Sequence, residues 1–306
     1  MRIRILGSAA GGGLPQWNCR CSNCQAAREG STAVRPRSQS SVAISIDDRH
    51  WFLLNVSADV RSQLAAFEGL WPPPEGLRGT SIAGCLLTDA EIDHTSGLLQ
   101  LREGCSFRIF STALVQRWLS DQLPVQKVLG SFADRPWFPL PLDEELELPL
   151  PSGEGSGIHV RAFETGQDQP RYVEEQEADL SGSVIGLSLR TDTEKQLVYA
   201  PGLATINEKL EDAASGADCL LVDGTFWTDT EPVEMGISQR SSLEMGHLPV
   251  DGPSGSLQWL AKQDIPHRVY VHINNTNPML NEQGQAWRTV NDLGIRIAAD
   301  GDEIVL

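Results

Sequence analysis

The chain has 306 residues, 40% of them hydrophobic, and its formal net charge at pH 7 is −17. Because nucleic acids and anionic lipid surfaces are bound by clustered lysine and arginine, this charge argues against both as partners. No stretch approaches the roughly 18 consecutive apolar residues of a membrane span. The N-terminus, MRIRILGSAAGGG, is too rich in glycine for a secretory signal. We therefore expect a globular protein of the cytoplasm.

Alternating and apolar runs predict strands along the chain, and helical spacing predicts helices between them. In chain order, strands are predicted at residues 2–6, 41–46, 50–54, 82–87, 107–110, 144–150, 158–163, 184–189, 196–199, 219–222 and 268–272, and two short strands close the chain. Helices are predicted at residues 58–67, 112–122, 205–213, 255–262 and 282–293. Strands precede helices in both halves, which indicates the α/β (α+β) class, with two mixed sheets packed face to face and helices outside. In such folds, ligands gather where strand ends meet.

A cysteine cluster, WNCRCSNC, lies near the N-terminus. Thiolates at the spacing of Cys19, Cys21 and Cys24 can converge on one tetrahedral ion, which predicts a structural zinc that closes a loop at about residues 11–30. The alternative is three unrelated thiols in a loop. The fourth ligand must come from elsewhere, and His247, in the loop MGHLPVDG, is the candidate among the six histidines.

An acidic cluster, TDAEIDHTSGLL, follows the apolar run that predicts a buried strand at residues 82–87. Asp89, Glu91 and Asp93 alternate, so on an extended loop they line one cavity, and His94 adds a nitrogen ligand. The alternative is a solvated acidic turn in which Asp93 caps a helix. His272 ends another apolar strand, and with Asp93 and His94 it forms a set of two imidazoles and one carboxylate. Such a set suits non-haem Fe²⁺, and zinc uses it too.

The segment D-x-E-x-D-H-T-x-G-L, residues 89–98, resembles the H-x-H-x-D-H-x-x-G-L signature of the metallo-β-lactamase superfamily. The resemblance implies one domain over residues 1–306, a four-layer αββα sandwich. It places Asp93, His94 and His272 on the second-metal ligands, and Asp89 and Glu91 on the two leading histidines. The cysteine cluster is similar to a subset of the superfamily with a structural zinc, in which a histidine equivalent to His247 completes the site.

Six segments in order resemble, over nearly the whole chain, a family within this superfamily that acts in the synthesis of pyrroloquinoline quinone (PQQ). The segments are GSAAGGGLPQWNC, LLTDAEIDHTSGLL, YAPG, DGTFW, MGHLPVDG and VHINNTNP. The resemblance implies hydroxylation of the tyrosine ring of a Glu–Tyr precursor, with Fe²⁺ at Asp93, His94 and His272 and with O₂ as co-substrate. Asp89 and Glu91 are then either direct ligands or bases that orient His94 and bound water and take the phenol proton.

Two other classes of function remain open. A zinc-dependent hydrolase is the common activity of the superfamily, but the expected third histidine motif is absent from FETGQ and the bridging aspartate is absent from YAPG. These losses favour a single active-site metal. The second alternative is a non-catalytic carrier of PQQ or its precursor for transport. The sequence leaves open which arginine or lysine binds the substrate, whether Asn274, Asn275 and Asn277 line the pocket or form a polar turn, and whether the protein acts as a homodimer or with other proteins of PQQ synthesis.

Overall fold

The computed structural model describes residues 1–174 and 176–306. Its strands are β1 Arg2–Gly7, β2 Ser41–Ser45, β3 Trp51–Leu54, β4 Ile82–Leu86, β5 Arg108–Ser111, β6 Trp137–Pro139, β7 Glu145–Pro149, β8 Gly155–Gly166, β9 Val184–Thr191, β10 Gln196–Ala200, β11 Cys219–Asp223, β12 His267–Val271, β13 Arg296–Ile297 and β14 Glu303–Val305. Its helices are α1 Ser22–Arg28, α2 Val60–Ala66, α3 Ile92–Thr95, α4 Ala113–Asp121, α5 Val125–Gly130, α6 Glu208–Ala214, α7 Glu231–Glu234, α8 Leu257–Ala261 and α9 Gln285–Asp292.

The strands form two seven-stranded mixed sheets. The first sheet has the order β14-β1-β2-β3-β4-β5-β6, and its strands are antiparallel from β14 to β3 and parallel from β3 to β6. The second sheet has the order β13-β12-β11-β10-β9-β8-β7, and its strands are parallel from β13 to β10 and antiparallel from β10 to β7. The first and last strands of the chain therefore share one sheet.

Three apolar layers show how the sheets and helices stack. Alternate residues of each strand face opposite sides of the sheet, so Leu197 and Tyr199 pack between the sheets, whereas Val198 and Ala200 pack outward. The outward layer of the second sheet includes buried residues of α6, α8 and α9, and that of the first sheet includes residues of α2, α4 and α5. The predicted fold of two mixed sheets with helices outside is confirmed.

Each predicted strand and helix overlaps one of these elements, but several short elements were not predicted. The helix α1 lies inside the segment that was predicted to be a zinc-bound loop, and α5 and β6 follow the predicted helix at residues 112–122. Six or seven residues are too few for a helical period to be visible in the sequence. Among the described residues, no helix has both the length and the apolar composition needed to cross a membrane.

The sheets meet at a rim where the chain leaves the carboxyl ends of β1, β4, β11 and β12. Backbone hydrogen bonds join the sheets there: Ile185 N donates to Thr88 O, and Ala10 N donates to Ile273 O. The strand that was predicted to end at His272 ends one residue earlier. His272 instead has a positive φ of 54°, which turns its side chain out of the strand register.

Candidate metal centre

A cavity of about 580 Å³ opens at this rim, and the predicted active-site residues line it. Its walls include Asp89, Glu91, Asp93, His94 and His272. The glycine-rich loop after β1 forms a further part of the wall. A Cβ atom at position 11 would lie 3.2 Å from Asp93 Oδ2, so glycine leaves room beside that carboxylate. The fold therefore brings the acidic cluster and His272 together, although His272 lies 178 positions after His94 in the sequence (272 − 94).

Asp89 orients His94. Its two carboxylate oxygens lie 2.8 and 2.7 Å from His94 Nδ1. The Thr88 hydroxyl and the Glu91 backbone N–H donate hydrogen bonds to the same carboxylate at 2.8 and 2.9 Å, which fixes it in turn. A carboxylate that accepts from Nδ1 leaves the lone pair of Nε2 for a metal ion. Of the two roles predicted for Asp89, the geometry favours the orienting role over that of a ligand.

His94 Nε2 is buried and has no hydrogen-bond partner among the residues that the structure describes. Ligand atoms of Asp93, His94 and His272 lie within 4.8 Å of one another. His272 Nε2 is 3.3 Å from Asp93 Oδ2, and its Nδ1 is 2.8 Å from the Thr225 hydroxyl oxygen. Because a buried polar atom is costly without a partner, the unpartnered nitrogen and its neighbours fit a bound metal ion.

Glu91 does not belong to this group of ligand atoms. Its backbone begins α3: its carbonyl oxygen accepts hydrogen bonds from His94 N and Thr95 Oγ1. Its side chain lines the cavity and makes no hydrogen bond within residues 1–174 and 176–306. Glu91 is exposed at the mouth of the cavity, where partial desolvation and the nearby carboxylates of Asp89 and Asp93 raise its pKa to about 7. The geometry thus favours a proton-accepting role over a ligand role.

A second group, Asp223, His247 and His272, adjoins the first and shares His272 with it. Asp223 is the last residue of β11 and is completely buried, and its Oδ2 lies 2.7 Å from His247 Nδ1. The Thr225 hydroxyl oxygen lies 2.6 Å from Asp223 Oδ1. Sequence reasoning did not assign Asp223 to the site. The signal was present, because Asp223 ends an apolar strand as the acidic cluster and His272 do.

His247 is therefore not where the sequence prediction placed it. Its ring is paired with Asp223, and it stacks on His272 with the ring centroids 5.4 Å apart. Within the described residues, the thiol group that could hold a metal contains Cys19, Cys21 and Cys24 without a histidine. The prediction that His247 completes the thiol site is contradicted by this geometry, because the ion pair with Asp223 holds the imidazole at the cavity.

The thiol site itself forms at the start of α1. Cys21 caps the helix, and its sulfur accepts a hydrogen bond from Cys24 N at 3.4 Å. The Asn275 side-chain Nδ2 donates to the sulfurs of Cys19, Cys21 and Cys24 at 3.1, 3.4 and 3.3 Å. Burial raises the pKa of the Cys24 thiol to about 12, so this sulfur needs a bound cation to become a thiolate. Three converging sulfurs fit a structural zinc.

The electrostatics of the cavity also fit a cation. Burial alone would raise the pKa values of Asp89, Asp93 and Asp223, but the adjoining imidazoles outweigh burial and hold all three pKa values below their usual range. Burial alone would lower the pKa of His94, but the carboxylates of Asp89 and Asp93 raise it to about 9. The adjoining imidazoles thus favour the ionised form of these carboxylates, and a divalent cation can take over that role.

The fold and the site define a protein of the metallo-β-lactamase class. Residues 50–273 match the family model described as a beta-lactamase superfamily domain. Full-length relatives include Coenzyme PQQ synthesis protein B of Methylococcus capsulatus, 41% identical, and that of Pseudomonas paraeruginosa, 42% identical, each with 100% of both chains covered. The chain belongs to the coenzyme PQQ synthesis protein B family within this superfamily.

Solved structures agree with this assignment. The crystal structure of zinc-bound PqqB from Methylobacterium extorquens has a TM-score of 0.90 and 38% identity, with 100% of both chains covered. A diphosphatase of the PhnP family has a TM-score of 0.67 at 19% identity, covering 100% of this chain and 97% of its own, which shows the shared fold alone.

Proposed function

We propose that this protein acts in PQQ biosynthesis as a non-haem iron hydroxylase of the tyrosine ring of a Glu–Tyr precursor. The observation that carries the proposal is the set formed by Asp93, His94 and His272 at an open cavity, with His94 Nε2 unpartnered in the described part of the chain. Its full-length relatives named for PQQ synthesis support the pathway. Two imidazoles and one carboxylate with open positions suit Fe²⁺ and O₂.

Each residue of the cavity has a separate role in the proposed reaction. Asp93, His94 and His272 would hold Fe²⁺, which when bound supplies the activation of O₂. Asp89 keeps His94 in the tautomer with Nδ1 protonated, and Thr225 fixes the ring of His272. Glu91 faces the cavity and accepts the phenol proton. One oxygen atom replaces a ring hydrogen as a hydroxyl group, the other leaves as water, and a two-electron reductant balances the reaction.

Two arginines at the cavity wall suit a substrate with several carboxylates. Arg171 and Arg240 line the cavity, and neither makes an ion pair with a carboxylate in the described part of the chain. The Arg240 guanidinium donates to the Glu244 carbonyl oxygen, and the Tyr172 hydroxyl donates to Ala90 O at 2.6 Å, which anchors the loop of Arg171. In a chain of charge −17, these guanidiniums are the cationic groups that the cavity offers to substrate carboxylates.

The test is anaerobic reconstitution with Fe²⁺, followed by air, a reductant and a Glu–Tyr substrate, with ¹⁸O₂ and product mass as the measurement. We expect the parent to add oxygen, and His272→Ala and Asp93→Ala to lose at least about a hundredfold of this activity. His159→Ala and Asp192→Ala are matched controls, because these residues form a surface pair at 2.8 Å. A parent that binds stoichiometric iron and adds no oxygen would refute the hydroxylase proposal.

The second group of ligand atoms supports an alternative function, that of a zinc-dependent hydrolase. Asp223, His247 and His272 lie close enough to share an ion, and a site with two ions is typical of hydrolases. Two zinc ions per cavity with hydrolysis of a phosphodiester would favour that function.

The other alternative is a non-catalytic carrier. A metal-free cavity that binds PQQ tightly would favour the carrier, and Arg171 and Arg240 would then hold the PQQ carboxylates.

A further inference from the structure

Asn275 occupies the place at the thiol site that the sequence pattern assigns to a histidine. Its side chain is almost completely buried, and its amide contacts the sulfurs of Cys19, Cys21 and Cys24 together. Three thiolates around a tetrahedral zinc leave one position for a fourth ligand. His247 is held by Asp223 at the cavity, so the closest side chain of suitable chemistry is this amide.

We propose that the side-chain oxygen of Asn275 is the fourth ligand of the zinc at the thiol site, and that this bond fixes the position of His272. Rotating an amide by 180° exchanges its nitrogen and oxygen while the rest of the residue stays in place. Within residues 1–174 and 176–306, no hydrogen bond to Oδ1 ties the amide in its present direction. When the three cysteines are thiols, the amide nitrogen of Asn275 donates to their sulfurs. When zinc is bound, the rotated amide directs its oxygen to the ion.

Residues 272–277, HINNTN, connect the thiol site to the active site. Asn275 lies three positions after His272 in the sequence. The Asn23 side-chain amide donates to Asn275 O and Asn277 O at 3.0 and 2.9 Å, which ties the segment to α1. On the other side, Asn274 N donates to Thr225 O at 3.0 Å. The segment therefore lies between the helix that carries the thiols and the loop that holds the ring of His272.

The backbone of His272 shows why this attachment matters. A positive φ at a residue other than glycine is strained, and it persists where the surroundings fix it. Asn275 is one such fixed point, because a metal ligand cannot move without losing its bond. Releasing it lets the segment relax, and His272 then loses its alignment with Asp93. This second step rests on the proposed metal site at Asp93, His94 and His272.

The ligand assignment is tested by zinc affinity at the thiol site, measured by competition with a chromophoric chelator on the full chain. We expect Asn275→Ala to bind this zinc at least about tenfold more weakly, and Asn275→Asp, which keeps an oxygen ligand, to bind it as the parent does. Asn274→Ala is the matched control, because Asn274 bonds Thr276 at 2.6 Å and contacts no sulfur. Equal zinc affinity in Asn275→Ala and the parent would overturn the assignment.

X-ray absorption of the parent gives an independent answer where a variant fails to fold. With one zinc ion per chain, we expect about three sulfurs near 2.3 Å and one oxygen near 2.0–2.2 Å. Imidazole produces a recognisable outer-shell scattering pattern, and its presence would point to a histidine ligand and refute the role of Asn275.

The link to His272 is tested by a measurement that does not depend on turnover. With zinc bound at the thiol site, Co²⁺ is added as the second metal ion, and its absorption measures its affinity for the cavity. We expect Asn275→Ala to bind this ion about tenfold more weakly than the parent and Asn275→Asp to restore the affinity. Loss of zinc from the thiol site with unchanged Co²⁺ affinity at the cavity would refute the link while leaving the ligand assignment intact. Failure of the parent to bind the second ion would instead count against the proposed active-site metal.

Discussion

The thiol site and the active-site cavity are built in opposite ways. The thiols come from six consecutive positions, residues 19–24, and the ligand proposed to complete their site, Asn275, comes from outside this segment. The cavity draws its residues from strand ends in both sheets: His94 follows β4 of the first sheet, and Asp223 and His272 lie at the ends of β11 and β12 of the second. A local cluster closes around its ion, whereas residues that converge from several strands leave an open face for a substrate.

This contrast predicts different consequences when each site is damaged. The largest effect on stability is expected at the closed site, because a structural zinc contributes directly to folding free energy. Replacing Cys24, which is completely buried, by serine should lower the free energy of unfolding by about 3 kcal/mol and the melting temperature by about 5–10 °C. Zinc content after dialysis should fall by one ion per chain.

Cys105→Ser is the control for that experiment. Cys105 is a half-buried free cysteine outside the thiol group, so its replacement should leave zinc content and melting temperature close to those of the parent. If a chelator lowers the melting temperature of Cys24→Ser as much as that of the parent, the thiol site does not carry the stabilising ion.

A substitution at the cavity should weaken the binding of its metal ion and change the free energy of unfolding little. Asp89→Asn keeps the shape of the side chain but removes the charge that orients His94 through Nδ1. We expect the affinity of the cavity for Co²⁺ or Fe²⁺ to fall about 10–100-fold, with the zinc at the thiol site unchanged. The absorption of Co²⁺ measures its affinity for the cavity, and competition with a chromophoric chelator measures the zinc at the thiol site.

Asp47→Asn tests whether this effect is specific to the cavity. Asp47 pairs with His50 at the same distance of 2.7 Å, but on the exposed surface of the protein. It should leave both metal affinities unchanged. An Asp89→Asn protein that binds its active-site metal as tightly as the parent would show that the pair with His94 is structural.

The two sites also differ in how far the sequence predicted them. The thiols were predicted because metal spacing is local, and the pairing of His272 with the acidic cluster was predicted because both follow apolar runs. Asp223 carries the same signal, because it ends an apolar run, but the resemblance placed the expected aspartate in YAPG and Asp223 was therefore not assigned to the site. The place of His247 was predicted wrongly. Both the thiol cluster and Asp223 are distant from His247 in the sequence, and spacing alone does not show which of them the imidazole contacts in the fold.

The fold was predicted further than the site. Alternation in Leu197–Ala200 already separates the residues that pack between the sheets from those that pack against the helices. Cavity walls follow no such period. Arg171 and Arg240 lie on loops that approach each other only after the sheets have packed, and no pattern in the sequence distinguishes them from other exposed arginines.

The smallest expected effect concerns these two arginines, which belong to the open face and not to either metal site. Arg171→Gln and Arg240→Gln should each raise KM for the Glu–Tyr substrate about tenfold with kcat nearly unchanged, because a charge-assisted hydrogen bond at a partly solvated wall contributes to binding before and during the reaction alike. Arg190→Gln, at a surface ion pair with Glu145, is the matched control and should leave KM unaltered. Metal affinity should be the same in all three variants. A fall in kcat at unchanged KM would place the arginine in the chemical step, and parent-like kinetics in the double variant would show that the substrate carboxylates bind elsewhere.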